Sequence, residues 1–338
     1  MTTGSCVISP MATGNGAYIV HKRIEEHIHN YEVIPYSPYR TFFPPFLTPL
    51  GRFSHAGLIH TTPDYAFFHA RKSIPLIVTF HGYVLDRFMQ DYSSVLQNIH
   101  CRTDLKIYIK LAVAMADVIT AVSQFTANLV KQEMQLTNDR IRVIYNGIDL
   151  EFFKPQINQK KKRAKRINVL FSGKLTRRKG ANWLIPIADK LNRNITVNYT
   201  SGLQISGNLA NHPQLKCLGT VPYRDMPAVY QDADILLFPT VREGLPLAAV
   251  EAMSCGLPVV ATNCSSLPEL VDHGKGGFLC QLGHVNEFAE KINILSESPL
   301  LRHEMGEYNR SKIEEKFTLN RMIKQYRELF EEVFSNRR

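Results

Sequence analysis

Short runs of β-branched and other apolar residues alternate with amphipathic stretches along the whole chain of 338 residues. In the first half "CVISP", "YEVIPY", "GLIHTT", "IPLIVTF", "DVITAVS" and "IRVIYN" read as strands, with helices near residues 17–29, 104–115 and 124–135. The second half repeats the plan. "INVLFSG", "ITVNYTS", "LKCLGT", "DILLFPT" and "LPVVATN" read as strands, with helices near residues 180–191, 226–231, 245–253 and 285–296. Strands apolar almost throughout are buried on both faces, which predicts parallel sheets covered by helices. Two doubly wound α/β domains follow, because the chain exceeds one core of about 150 residues.

The expected division is a first domain over 1–150, a linker over 151–166, a second domain over 167–316 and a terminal helix over 317–338. Thr318 is a suitable N-cap for that helix, and Leu319, Met322, Ile323, Tyr326, Leu329, Phe330, Val333 and Phe334 share one face. Such a face must pack, and the expectation is that it packs back across the domains. Ligands of open parallel sheets bind at the carboxyl ends of the strands, so the expected site is a central cleft that the two domains face.

Composition narrows the classes. No segment is long and apolar enough to span a bilayer, and the start "MTTGSCVISPMATGNG" lacks a basic region followed by an apolar run. A cytoplasmic protein is expected. The six cysteines include no C-x-x-C pair and are read as reduced and structural. The twelve histidines include no H-E-x-x-H or comparable spacing, so no metal site is expected.

Six of the ten net positive charges sit in "KKKRAKR", residues 160–166, which leaves +4 for the rest. A solvated linker is the first reading of such a run. An anionic membrane surface is the functional alternative, at about 1 kcal/mol per basic residue, and would place the protein peripherally on the inner face. No specific nucleic-acid partner is expected, since no aromatics interleave the basic residues.

The candidate chemistry starts in "FPTVREGLPLAAVEAMSCGLPVVAT", residues 238–262. Pro246 suits a first helical turn, so Glu243, Gly244 and Leu245 lead into a helix whose free N–H groups and dipole favour phosphate. Glu251 then lies roughly 9 Å along that helix, the span from the phosphates to the ribose of a nucleotide. Its neighbours Ala248, Ala249, Val250, Ala252 and Met253 offer no polar face for it to join. Two carboxylates so placed are acceptors for hydroxyl groups at the two ends of one ligand. In "VLFSGKLTRRKGANWLI", Lys174 and Lys179 can close on a diphosphate from the other side and neutralise a leaving group without a metal ion.

In the first half, Gly14 and Gly16 follow the first strand, where a backbone can approach a ligand. His81 ends a buried strand in "IVTFHGY", and Asp86 and Arg87 follow it as candidates to hold an acceptor. Residues 36–68 are aromatic and Pro-rich: either packing under irregular loops, or an apolar acceptor groove or membrane-facing lip, with Asp64 the carboxylate beside it.

"EGLPLAAVEAMSCGLPVVATNCSSLPELV" resembles the E-x7-E signature of retaining GT-B glycosyltransferases of family 4, and "FSGKLTRRKG", "VIYNGIDLEFFKP" and "ADVITAVSQFTANLV" are similar to further landmarks in the same order. The resemblance implies two Rossmann-like domains. It implies that Glu243 contacts the donor sugar, Glu251 binds the ribose, and Lys174 and Lys179 hold the diphosphate, although the first basic position is often Arg. It also implies that Val221 lies against the base, that the Gly14–Gly16 loop reaches the donor phosphate, and that His81 contacts the donor sugar near the reacting centre. Glu243, Lys179 and His81 are thus the expected catalytic set. The implied reaction is metal-independent, retaining transfer from a nucleotide-diphosphate sugar, a substrate and not a cofactor, to a glycan or lipid-linked acceptor of cell-surface polysaccharide or glycolipid synthesis. The rivals are a nucleotide-sugar epimerase or hydrolase of similar architecture, and a non-catalytic basic protein that binds membrane or nucleic acid.

Overall fold

The computed structural model describes residues 6–51, 53–156, 166–201 and 207–336. The chain forms two compact units, Met1–Gly147 with Asn320–Arg338, and Ile148–Leu319. Apart from Arg166, the basic run at 160–166 lies outside the described residues.

The first unit is built on β1 (Cys6–Ala12), β2 (Tyr31–Tyr36), β3 (Ala56–Thr61), β4 (Leu76–Phe80), β5 (Val118–Ala121) and β6 (Ile141–Val143). They pair in the order β2-β1-β3-β4-β5-β6, all parallel. Its helices are α1 (Gly16–His27), α2 (Ala66–His69), α3 (Val95–Arg102), α4 (Asp104–Met115), α5 (Gln124–Met134) and most of the terminal helix, Leu319–Ser335. Side-chain caps fix several starts: Asn15 accepts from Tyr18 N at 2.8 Å, Ser123 from Thr126 N at 3.1 Å, and Ser94 forms a capping box with Gln97.

The sheet's two faces differ in chemistry. Ile59, Val78, Phe80, Ile119 and Ala121 pack in the apolar core with Leu105, Ile109 and Val130 of α4 and α5. The alternate residues His60, Thr79 and Thr120 are also fully buried, on the other face. Tyr326 and Phe330 of the terminal helix lie against them, with ring centroids 5.2 and 5.5 Å from His60. Arg142 clasps Glu332 with two bonds of 2.6 Å.

The second unit contains β7 (Ile167–Phe171), β8 (Ile195–Thr200), β9 (Leu215–Gly219), β10 (Ile235–Phe238), β11 (Val259–Thr262) and β12 (Gly277–Cys280). Their order is β12-β11-β10-β7-β8-β9, again all parallel. Around them lie α6 (Leu184–Ala188), α7 (Met226–Asp232), α8 (Leu247–Ser254), α9 (Leu267–Leu270), α10 (Val285–Glu297) and α11 (Pro299–Lys316); the terminal helix is α12. Arg310 of α11 ties this unit together, donating to the carbonyl oxygens of Phe153 and Ser254, both at 2.9 Å.

Several elements depart from the sequence reading. The helix expected over 180–191 is a 3-10 turn, Ala181–Trp183, followed by the short α6, and Pro186 lies within it. Neither β12 nor α11 was expected: β12 begins on a glycine in a Gly-rich stretch, and α11 is polar on most of its circumference. Residues 38–51 form two 3-10 segments that leave Tyr39 and Phe42 78% and 84% exposed. All six cysteines are free.

Phe330 is fully buried against Tyr31, His60 and Tyr326. Phe330→Ala should therefore cost about 3–5 kcal/mol in urea unfolding. A cost below about 1 kcal/mol, within the range of surface substitutions, would remove α12 from the core of the first unit.

Candidate active site

The second sheet reverses its strand order between β7 and β10, and the loops leaving those two strands carry the charged residues singled out in the sequence. This is the switch point where open α/β sheets hold ligands. Lys179 ends a 3-10 turn, Arg177–Lys179, whose N-cap Thr176 accepts from the Lys179 N–H at 3.3 Å. Its Nζ donates to Glu243 Oε1 at 2.5 Å and sits 5.7 Å from the centre of the Phe238 ring. Glu243 is buried, and the same Oε1 accepts from Thr240 Oγ1 at 2.7 Å. Its own N–H donates to Ser265 Oγ at 3.1 Å.

A backbone bond stitches the two loops together, Val241 N donating to Arg178 O at 2.9 Å, and Thr240 Oγ1, whose proton goes to Glu243, lies 3.2 Å from the same oxygen. Gly180, at φ +81°, passes so close to Pro239 that a Cβ would lie 2.1 Å from the Pro239 carbonyl oxygen. Only glycine fits there.

The helix after Glu243 is α8, which begins at Leu247 with Pro246 as its N-cap, not near Leu245 with Pro246 in its first turn. Pro246 is extended, at ψ 111°, and its carbonyl takes the first helical bonds from Ala249 and Val250. The N–H groups of Gly244, Leu245, Leu247 and Ala248 have no hydrogen-bond partner among the described residues. Gly244 and Leu245 are buried, while Leu247 and Ala248 are partly exposed. The later start also shortens the run to Glu251, which lies roughly 6 Å into the helix, not 9 Å.

Glu251 is buried and accepts from the Tyr230 hydroxyl of α7 at 2.9 Å. Burial first, and then Glu251, push the Tyr230 phenol well above its ordinary range, so it stays a donor. Sequence spacing missed Tyr230, Thr240 and Ser265: Tyr230 and Thr240 reach the carboxylates of Glu251 and Glu243 from another helix and another turn, and Ser265 accepts from the Glu243 backbone N–H. Lys174 follows β7 and is exposed, with no ion-pair partner among the described residues. Val221 is half-buried in the loop after β9.

In the first unit, Gly14 and Gly16 flank Asn15 at the turn from β1 to α1, beside the switch between β1 and β3. A Cβ at either would meet nothing within 4 Å, and Gly14 has φ +81°. Asp64 follows β3. His81 follows β4, and its Nε2 lies 3.2 Å from Nε2 of His21. Burial lowers the His81 imidazole to about 4, so it is neutral at neutral pH.

Asp86 is buried and caps the 3-10 turn Arg87–Tyr92, accepting from Phe88 N at 3.0 Å, whereas Arg87 is exposed. Both line a pocket of about 490 Å³ with Arg102, Lys106, Lys110 and Glu133. Among the described residues one group of potential metal ligands occurs, Cys6, Glu32 and His55, at the amino ends of β1 to β3. It lies apart from the residues above, which leave their strands at the carboxyl ends.

Residues 6–152 match the model of Glycosyltransferase Family 4, and residues 152–312 that of Glycosyl transferases group 1. The chain is a GT-B glycosyltransferase of the family 4 type. Among curated relatives, N-acetyl-alpha-D-glucosaminyl L-malate synthase of Bacillus anthracis is 24% identical over 91% of this chain and 83% of its own. D-inositol 3-phosphate glycosyltransferase of Pseudarthrobacter chlorophenolicus is 27% identical over 56% of this chain and 51% of its own. The fold of the glycosyltransferase matches that of sucrose-phosphate synthase from Thermosynechococcus elongatus, with a TM-score of 0.81 and 17% identity over 98% of this chain and all of that one. It also matches HepE of Anabaena, solved with UDP and glucose, with a TM-score of 0.78 and 21% identity over 97% of this chain and all of that one. Among the described residues of the glycosyltransferase, no helix is long and apolar enough to cross a membrane.

Burial raises the Asp64 carboxyl from its ordinary 3.8 to about 6. Between those values the native state holds a proton that the unfolded chain has released, so stability falls as pH rises through about 4 to 6 and is then level. Asp64→Asn should abolish that slope and be the more stable protein at pH 7.5, by about 1 to 2 kcal/mol given its partial contact with solvent. Urea midpoints from pH 4.5 to 7.5 check this, and a slope that survives the substitution would contradict it.

Proposed function

We propose that this protein transfers a sugar, with retention of anomeric configuration, from a nucleoside-diphosphate sugar to a glycan or lipid-linked acceptor. The observation that carries the reading is the grouping at the β7–β10 switch: the Lys179–Glu243 ion pair, the exposed Lys174 ammonium and the unpaired N–H groups entering α8, with Glu251 one turn further on. A diphosphate meets positive charge and N–H donors there, and the ribose hydroxyls meet a carboxylate. A solved neighbour supports a sugar-nucleotide donor, since HepE was solved with UDP and glucose.

In this reading Glu243 does not attack the anomeric carbon. It is held by Lys179 and Thr240 and accepts from sugar hydroxyls. Lys179, Lys174 and the start of α8 stabilise the departing diphosphate, the charge that grows most in the transition state, and this is the basis for a metal-independent reaction. The leaving phosphate oxygen takes the acceptor proton. Val221 is assigned to the base, Gly14 and Gly16 to the phosphate, and His81 to the donor sugar. On the acceptor side, the exposed rings of Tyr39, Phe42, Phe43 and Phe46 support a lipid-linked substrate. Asp64, Asp86 and Arg87 are the polar groups assigned to it, and the basic run at 160–166 is assigned to an anionic membrane surface.

Two substitutions test the donor site. Glu251→Ala should weaken UDP binding measured by calorimetry, by roughly five- to tenfold for the loss of a buried acceptor. Lys179→Ala should lower turnover by about two orders of magnitude with a UDP-sugar that the parent uses. Unaltered UDP affinity in the first, or undiminished turnover in the second, would move the nucleotide elsewhere.

A further inference from the structure

One buried cluster in the first unit lies outside the donor site and has no assigned role. Ser9 of β1, His21 of α1, Tyr31 of β2, His60 of β3, Thr79 of β4 and Thr120 of β5 form a continuous hydrogen-bonded chain, and all six are buried. His21 Nδ1 lies 2.8 Å from Ser9 Oγ and 2.7 Å from the Tyr31 hydroxyl. That hydroxyl is 2.8 Å from His60 Nδ1. His60 Nε2 is 2.7 Å from Thr79 Oγ1, which is 2.6 Å from Thr120 Oγ1. The other end of His21, its Nε2, meets Nε2 of His81 at 3.2 Å.

The proton positions can be worked out by satisfying each contact. Burial holds His21 well below its ordinary range and His60 and His81 down to about 3 and 4, so each ring carries one N–H. His21 Nδ1 faces two oxygens at hydrogen-bond distance. A bare nitrogen offers a single lone pair and can satisfy one hydroxyl, whereas an N–H shared between two acceptors satisfies both short contacts. With the proton on Nδ1, His21 Nε2 is bare and can only accept. The Tyr31 hydroxyl is then free to donate to His60 Nδ1, His60 Nε2–H donates to Thr79, and Thr79 donates to Thr120. Every link has one donor and one acceptor.

We infer that His21 is a positioning residue for His81: it accepts from His81 Nε2–H, fixes the ring and its tautomer, and leaves His81 Nδ1 as a hydrogen-bond acceptor for a hydroxyl of the donor sugar. The inference rests on the assignment of His81 to the donor sugar made above. It specifies what that assignment leaves open: His81 receives a hydrogen bond from the ligand and does not donate one. The buried chain behind His21 makes the choice, because reversing the His81 tautomer would reverse His21 and return its bare nitrogen to two competing hydroxyls.

Long-range proton–nitrogen NMR of protein labelled in its histidine rings reads the tautomer directly, with no ligand required. In the unsubstituted protein His81 should be at least about nine-tenths the Nε2–H form, as one hydrogen bond of ordinary strength dictates. His21→Phe should leave both forms populated. His21→Gln, whose side-chain carbonyl can still accept, should restore the single form. A His81 carrying its proton on Nδ1, or a mixture in the unsubstituted protein, overturns the inference even if His21→Phe fails to fold. A tautomer unchanged in His21→Phe also overturns it. Separately, His81→Ala should weaken binding of UDP-glucose relative to UDP. If it changes neither affinity, the donor assignment falls while the NMR result still decides the role of His21.

Discussion

The ion pair between Lys179 and Glu243 joins the loops that leave β7 and β10, and the geometry of the candidate site in the second unit depends on it. A carboxylate as buried as Glu243 is costly unless paired and hydrogen-bonded, and here Lys179 and Thr240 both meet one of its oxygens. Stitched through Arg178 O and pressed together at Gly180 and Pro239, the two loops hold that pair rigidly at the point where the sheet reverses direction. The pair also restrains the lysine. A ligand phosphate approaching Lys179 meets an ammonium already half satisfied, whereas Lys174, exposed and without an ion-pair partner among the described residues, offers its full charge. The two lysines thus differ in character: one is preorganised by its ion pair, the other exposed with no ion-pair partner among the described residues.

Most of the architecture was legible because parallel strands buried on both faces leave short apolar runs with helical stretches between them. Eleven of the twelve strands fall where such runs occur, and α4 spans the expected Asp104–Met115. The misses have physical causes. β12 opens on Gly277 directly after Gly276, which breaks the apolar run that marks the other strands, and α11 carries few apolar residues at helical spacing. The start of α8 was misplaced because proline serves equally as an N-cap and as a first helical residue; its extended ψ, not its identity, sets the boundary. At the site, Glu243, Glu251, Lys174 and Lys179 could be picked out along the chain. Their partners could not, since Thr240 meets Glu243 across a turn and Tyr230 reaches Glu251 from another helix.

The same reasoning explains why the histidine chain escaped notice. His21 stands in an ordinary amphipathic helix, and His60 sits in a strand read simply as apolar, "GLIHTT". Neither lies near a motif. Only the parallel register brings Ser9, His60, Thr79 and Thr120 onto one face, each a residue away from a core position on the opposite face. A one-residue slip in any of these strands would bury the polar side chain among α4 and α5 and expose an isoleucine or valine to the histidines. The polar row therefore specifies register at least as firmly as the apolar one does.

Such a row is stable only when completely bonded, because a half-satisfied buried network costs more than an apolar core of the same volume. Apolar side chains of similar size would pack against Tyr326 and Phe330 without that risk, so the stability of the first unit does not by itself call for histidines at 21 and 60. What they add is direction. A chain of neutral donors and acceptors running from Thr120 to His81 transmits one proton order to a ring at the carboxyl edge of the sheet, where an aliphatic core would leave that ring to choose its own. In the second unit the analogous control is electrostatic, through a paired lysine and glutamate. In the first it is a sequence of hydrogen bonds with no net charge, which salt does not screen and which persists over the pH range in which the buried His21 and His60 and the partly buried His81 stay neutral.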